Sequence, residues 1–126
     1  MKEEAIKWLG QAKADLRTAR NSMKSKDYYA SAFWCQQAVE KGLKAIYILK
    51  HGSLAPKIHD LVELCRFVDS PEEITLKCGK LILVYILSRY PGAAPEMPKD
   101  YYDKKKTQEH LKLSREVMKW IKEQLK

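Results

Sequence analysis

The segment Ser88-Arg89-Tyr90-Pro91 places a cation next to an aromatic ring, at the end of the most apolar stretch of the chain. A guanidinium beside aromatic rings can hold a phosphate through paired hydrogen bonds while the rings stack on a base. An arginine near the end of a helix can instead stabilise the helix dipole. The segment therefore predicts either a phosphate-binding site at Arg89 and Tyr90 or a helix cap.

A second group of polar residues lies on one helical face: Gln37, Lys41 and Lys44 occupy adjoining positions, and the first two fall within an apolar stripe. Burying such a group without a partner costs about 1 to 3 kcal/mol, so each must be paired or border an opening. One alternative is a Glu40–Lys44 pair within the helix, with a hydrogen bond from Gln37 between helices. The group is therefore either the wall of a site or an internal polar network.

The residue types that bind metals are spread along the chain: His51, His59, His110, Cys35, Cys65 and Cys78. The sequence has no HExxH or CxxC pair, no glycine-rich phosphate loop and no nucleophile elbow. We therefore expect no metal site and no cofactor. The cysteines are predicted to be small core residues in a reducing compartment.

Two long amphipathic helices are predicted first. Apolar residues recur every three or four positions from Glu3 to Lys24, and again in a second helix that Asp27 can cap and that should end at Gly52. Because few residues join them, we expect an antiparallel helical hairpin.

Shorter elements follow. A third helix should begin near Asp60, and a fourth should begin with a capping box in which Ser70 caps and Glu73 closes it. The run Leu81–Leu87 is expected to continue the fourth helix and to be buried on most of its surface.

The prolines between Tyr90 and Lys99 exclude regular structure, and a final helix with a basic outer face should follow Tyr101. The predicted architecture is all-α: a single domain over residues 1–126, folded as an up-and-down bundle of four to five helices.

Composition and charge indicate which kind of partner and which compartment to expect. The chain has 126 residues, 45% of them hydrophobic, and 24 basic against 16 acidic residues give a net charge of +8. This excess favours an anionic partner, or merely keeps the protein in solution. The longest apolar run is well short of the roughly 20 residues of a membrane span. With an early acidic pair, Glu3-Glu4, this leads us to expect a cytoplasmic protein.

Three motifs occur in an order and spacing that resemble one family. They are Phe33 with Gln36-Gln37-Ala38 and Glu40-Lys41-x-Leu43-Lys44-Ala45, then His59-Asp60-Leu61, then Ser88-Arg89-Tyr90-Pro91. Together they resemble the HEPN domain, named for higher eukaryotes and prokaryotes nucleotide-binding. The resemblance extends from Trp8 to Trp120.

The resemblance implies a helical bundle that usually forms a symmetric dimer. Such domains are often produced beside a small nucleotidyltransferase-fold partner in modules of toxin–antitoxin type. Many are metal-independent ribonucleases that carry an arginine followed, a few residues later, by a histidine. Here the arginine would be Arg89, and the positions open to the histidine hold Ala94, Pro95 and Glu96.

The missing histidine bears on catalysis, because metal-free cleavage of RNA needs a group that moves a proton near neutral pH. Arg89 cannot be that base, and His59 is the one substitute attached to a family motif. We therefore expect a nucleotide- or RNA-phosphate-binding protein, more a binding protein than an enzyme, with Arg89 and Tyr90 at the site and Lys41, Lys44 and His59 as its walls. The alternatives are a ribonuclease toxin with an atypical active site and a non-catalytic dimeric scaffold.

Overall fold

The computed structural model describes residues 2–126, and within them every regular element is helical. The elements are α1 (Lys2–Lys24), α2 (Tyr28–His51), α3 (Leu61–Phe67), α4 (Glu72–Gly79), α5 (Val84–Leu87), α6 (Pro98–Tyr101) and α7 (Lys104–Gln124). Five of them have seven or more residues, and α5 and α6 are single turns of four. The all-α prediction is confirmed.

The predicted hairpin is formed by α1 and α2, which pack along each other with small alanine side chains buried between them. Ser31 ties the pair together, because its Oγ donates a 2.7 Å hydrogen bond to the carbonyl of Ala19 on the opposite helix. Gly52 ends α2 in the left-handed region at φ 69°, and its N–H donates to the carbonyl of Ile48. Asp27 takes the predicted N-cap position, but its side chain makes no capping hydrogen bond.

The hydrophobic core lies where α7 crosses α2. Gly42 lets the two helices approach, since a Cβ at this position would lie 2.7 Å from the Cδ1 atom of Ile121. The largest fully buried side chains come from α2, α3, α7 and the turn after α4: Leu43, Ile48, Leu61, Leu64, Leu81, Met118 and Ile121.

The short helices α3 and α4 differ in how their N-termini are capped. Helix α3 begins after Asp60, near its predicted start, and the Asp60 carboxylate caps it by accepting hydrogen bonds from the backbone N–H of Val62 and of Glu63 at 3.0 and 3.1 Å. The capping box predicted for α4 does not form, because Pro71 takes the N-cap position and the Ser70 hydroxyl instead bonds the Thr75 hydroxyl at 2.6 Å.

The prediction of one long, mostly buried helix through Leu81–Leu87 is wrong. Helix α4 ends at Gly79, and backbone bonds to the residue three positions back, such as Leu81 to Cys78 and Val84 to Leu81, tighten the chain into turns before α5. As a result Leu83 is 61% and Ile86 49% exposed. Some side chains of this apolar run therefore lie in the core, and others lie on the surface.

The segment from Tyr90 to Lys99 is irregular only in part. Residues 91–96 form turns and bends, as predicted, but Pro98 and Lys99 begin the single-turn helix α6, so the prediction is wrong for these two residues. Pro98 takes the first helical position, where a missing N–H costs nothing. The cysteines are free and buried, which confirms them as core residues. No helix in the described chain has the length and apolarity needed to cross a membrane.

Candidate functional site

Arg89 is exposed directly after α5, and three aromatic rings surround its guanidinium. Its Cζ atom lies 4.7 Å from the ring centre of Tyr85, 5.2 Å from that of Tyr90 and 5.5 Å from that of Phe33. Within residues 2–126 its side chain forms no ion pair and donates no hydrogen bond to a helix carbonyl. The arrangement is therefore a positioned cation with a free charge, and not a cap bonded to α5.

The rings come from two elements that meet at this point. Phe33 lies early in α2, and its ring centre is 6.4 Å from that of Tyr85 in α5 and 5.1 Å from that of Trp34, edge to face. Such aromatic contacts favour defined geometries, so they fix the surface on which Arg89 rests.

His59 belongs to the same cluster. Its imidazole stacks on Tyr85 with ring centres 4.0 Å apart and planes 14° apart, and 49% of its side chain is exposed. Its Nδ1 lies 2.9 Å from Oε1 of Glu40. Because a carboxylate only accepts, Nδ1 carries the hydrogen and Nε2 is the nitrogen left to act as an acceptor in the neutral ring. His59 and Arg89 thus contact the same tyrosine.

A buried polar network lies beneath His59. Glu40 and Lys44 are only 4% and 5% exposed, and Lys44 Nζ donates to Glu40 Oε2 at 3.1 Å. Gln36, fully buried, donates to Glu40 Oε1 at 3.0 Å and accepts a 2.7 Å hydrogen bond from Gln37. Both carboxylate oxygens are therefore occupied, as a buried charge requires, and the network holds His59 in place.

Lys41 is paired on the other side of α2. It forms an ion pair with the buried Asp15 of α1, which also accepts a 2.9 Å hydrogen bond from the side-chain amide of Gln11. The Lys41 ammonium lies 5.7 Å from the ring centre of Trp34. Since Trp34 contacts Phe33, which contacts Arg89, Lys41 lies on the aromatic surface that leads to Arg89.

The structure brings three of the predicted site residues together: Arg89, Tyr90 and His59. Lys41 and Lys44 both lie on α2, and each forms an ion pair. Lys44 is also buried. For the polar group on α2, the structure shows the internal network with the predicted Glu40–Lys44 pair. The predicted hydrogen bond from Gln37 between helices is wrong, because Gln37 bonds Gln36 on its own helix.

Sequence reasoning missed Tyr85, Asp15 and the central place of Gln36. Tyr85 precedes Arg89 by four residues and Gln36 precedes Glu40 by four, which is the spacing of neighbours on a helix surface. That spacing was the available signal. Asp15 had none, since its partner Lys41 lies on another helix.

Comparison with known proteins identifies the family of the chain. The model of the HEPN domain matches residues 5–124, so the chain belongs to the HEPN domain family, which confirms the resemblance.

Solved structures show the same fold. TT1696 from Thermus thermophilus is 32% identical with a TM-score of 0.87, and the match covers 95% of this chain and 97% of that one. ST0689, an archaeal HEPN homologue, is 27% identical with a TM-score of 0.81, covering 97% and 98%. A HEPN domain protein from Thermotoga maritima, at 18% identity, TM-score 0.72 and coverage of 92% and 94%, shares the fold. Among curated proteins, none matches the chain.

Proposed function

We propose that the protein binds the phosphate of a nucleotide or of an RNA strand at Arg89, without cleaving it. The observation that carries this proposal is the exposed guanidinium of Arg89, held by three rings and left without an anionic partner in the described chain. A cation in this state gains most from an external anion, and the planar guanidinium matches two phosphate oxygens.

The surrounding rings support a nucleotide rather than phosphate alone. Tyr90 is about half exposed beside the guanidinium, so a base attached to the bound phosphate can stack on it. His59 adds a hydrogen-bonding nitrogen on Tyr85, the ring that Arg89 also contacts. In this account Lys44 acts indirectly, because its pairing with Glu40 holds the residue that positions His59.

The proposal is tested by titrating a labelled single-stranded hexaribonucleotide, and AMP separately, and measuring affinity. Arg89→Lys should weaken binding although the charge is kept, because the planar fork is lost. Arg89→Ala should cost more, about 1.5 to 3 kcal/mol for a charge-assisted hydrogen bond.

Arg66→Ala is the matched control. Arg66 is also exposed with its guanidinium over a ring, 5.8 Å from the centre of Phe67, but it is paired with Glu63. Its loss should leave binding unchanged. If Arg89→Ala unfolds the protein and Arg89→Lys binds as well as the wild type, the proposal is wrong.

A second candidate function, a metal-independent ribonuclease, is favoured by one observation. Glu40 orients the His59 imidazole, which stacks on Tyr85, the ring that Arg89 contacts, and a histidine oriented by a carboxylate is suited to general base catalysis. Against it, the family's histidine after Arg89 is replaced by Ala94, Pro95 or Glu96. We place binding first for this reason.

Partners are proposed on family grounds. We propose a homodimer that works with a small nucleotidyltransferase-fold protein in a module of toxin–antitoxin type, and membership of the HEPN family is the support for this partner. Co-expression with such a protein encoded beside its gene should give a complex that co-purifies. A complex without any response to nucleotides or RNA would favour the remaining alternative, a non-catalytic scaffold.

A further inference from the structure

An open groove of about 220 Å³ lies between α1 and α2, away from Arg89, and is lined by Lys7, Trp8, Gln11 and Lys41. Its residues combine one indole ring, two cations and an amide. Neither Tyr90 nor His59 contributes to it.

The Trp8 ring is held in place as a flat surface. It is partly buried, and the ammonium of the buried Lys44 lies 5.9 Å from its ring centre. Lys44 is itself fixed by Glu40. Because both the ring and the cation beside it are constrained, the ring loses little freedom when another planar group stacks on it.

The polar groups around the ring are oriented too. The Gln11 amide nitrogen donates to Asp15, which leaves its carbonyl oxygen free to accept a hydrogen bond. Lys41 uses one donor on Asp15 and has two more. Lys7 is largely exposed and has only a 3.9 Å contact with Glu4, so its charge is available.

We infer that this groove is a subsite for a nucleobase that stacks on Trp8, with the attached phosphate attracted by Lys7; the inference rests on the proposed function and adds a second contact to it. A stacking ring with a hydrogen-bond acceptor and donor at its edge suits a base, and the exposed Lys7 ammonium, whose only partner within the described residues is Glu4 in a weak surface pair, suits its phosphate. The net charge of +8 favours the same class of ligand.

The groove is connected to Arg89 by a continuous row of contacts. Lys41 lies 5.7 Å from the Trp34 ring centre, the Trp34 and Phe33 ring centres are 5.1 Å apart, and Arg89 lies 5.5 Å from the Phe33 ring centre. Cations and aromatic rings along one surface are what a single-stranded nucleic acid contacts when it binds without sequence preference. A short strand can therefore reach both places.

The direct test follows the indole N–H signals of the folded wild-type protein by NMR. Trp8→Phe and Trp120→Phe assign the signals of these two residues. AMP should shift the Trp8 signal, adenosine should shift it at higher concentration, and ribose 5-phosphate should leave it in place. Lys7→Gln should weaken the effect of AMP and leave that of adenosine. Equal shifts with ribose 5-phosphate, or no Trp8 shift with AMP or the hexaribonucleotide, would overturn the inference.

Measuring the affinity for the hexaribonucleotide shows whether the groove binds a base of an RNA strand or a free nucleotide. If a base of the strand stacks here, Trp8→Ala should weaken binding by about 5- to 150-fold, the range for loss of one stacked base. Trp8→Phe keeps a ring and should retain most of the affinity, and Trp120→Phe should retain all of it. If AMP shifts Trp8 while Trp8→Ala leaves strand binding unchanged, the subsite takes free nucleotide.

The two proposals can fail separately. If Arg89→Ala weakens strand binding and AMP leaves Trp8 unshifted, the subsite is wrong and the Arg89 site stands. If AMP shifts Trp8 equally in the wild type and in Arg89→Ala, and strand binding does not depend on Arg89, the subsite stands and the proposed function is wrong.

Discussion

At the scale of single residues, Arg89 and Arg66 differ in whether the guanidinium has an anionic partner. Both are exposed and both lie over an aromatic ring, but Arg66 is neutralised by Glu63, three residues before it. Arg89 contacts three rings, and no carboxylate of the described chain reaches it. The difference in partners, not in residue type, makes Arg89 the candidate for an external phosphate.

We predict no metal-independent ribonuclease activity above background. The positions where the family carries its histidine hold Ala94, Pro95 and Glu96, so the imidazole that would move a proton near neutral pH is missing from them. The measurement is cleavage of a fluorogenic single-stranded RNA in the presence of EDTA. Cleavage that is lost in Arg89→Ala and in His59→Ala, and retained in His51→Ala, would show that the ribonuclease function is the correct one.

His110 should make stability depend on pH. Burial holds its pKa below the ordinary value of 6.5, so as pH falls the unfolded chain takes up a proton before the folded protein does. The contribution of His110 to the free energy of unfolding is therefore fully present above pH 6.5 and is lost as the pH falls. The urea midpoint of the wild type should fall more between pH 7 and pH 5 than that of His110→Gln. Equal changes in the two proteins would contradict this assignment.

At the scale of the elements, the sequence predicts helices well where local chemistry sets their ends. Helix α2 ends at Gly52 and α3 begins after Asp60, both as predicted, and the left-handed Gly52 and the Asp60 side-chain cap set these ends. The sequence predicts local structure poorly where packing against the rest of the fold decides it. Ser70 has the residue type of a cap, yet it bonds Thr75, and the pattern of Leu81–Leu87 predicts one helix although turns divide it.

The candidate site could likewise be predicted from the sequence only in part. Arg89, Tyr90 and His59 could be named from residue type and from the motifs that contain them. Their meeting through Tyr85 depends on how α5 packs against α2, which no local pattern encodes. The pairing of Lys41 with Asp15 likewise depends on the register of α1 against α2.

Gly42 provides a test of the contact between α2 and α7. In Gly42→Ala the new Cβ would meet the buried Ile121 side chain at 2.7 Å, so we expect a loss of about 1 to 3 kcal/mol in unfolding free energy from overpacking. Chemical denaturation measures this value. Adding Ile121→Val removes the nearest atom, and the double variant should recover part of the loss.

Gly10→Ala is the control for helix propensity. Gly10 is exposed in α1 with nothing within 4 Å of the added Cβ, so alanine should stabilise the protein by about 0.5 to 1 kcal/mol. If Gly42→Ala stabilises the protein as Gly10→Ala does, the close approach of α2 and α7 is wrong.

At the scale of the whole molecule, the exposed apolar side chains predict self-association. Several large ones fall in one stretch after α4: Leu83, Ile86 and Met97. We expect them to form part of a two-fold dimer interface, since apolar and aromatic residues are enriched at the centres of such interfaces.

Light scattering at tens of micromolar should give the dimer mass for the wild type and the monomer mass for the double variant Leu83→Asp, Ile86→Asp. Leu54→Asp is the control, because Leu54 is equally exposed but lies in the loop after α2. Monomer mass for the wild type would rule out the dimer.

The central claim is that the Arg89 guanidinium itself contacts a phosphate. The most direct measurement is the NMR spectrum of the arginine side-chain N–H groups during titration with the hexaribonucleotide, with the Arg89 signal assigned through Arg89→Lys and the Arg66 signal through Arg66→Lys. The account predicts a saturable shift of the Arg89 signal, weakened by added salt, while the Arg66 signal stays in place. Saturable binding of the strand with no change at Arg89 would contradict it.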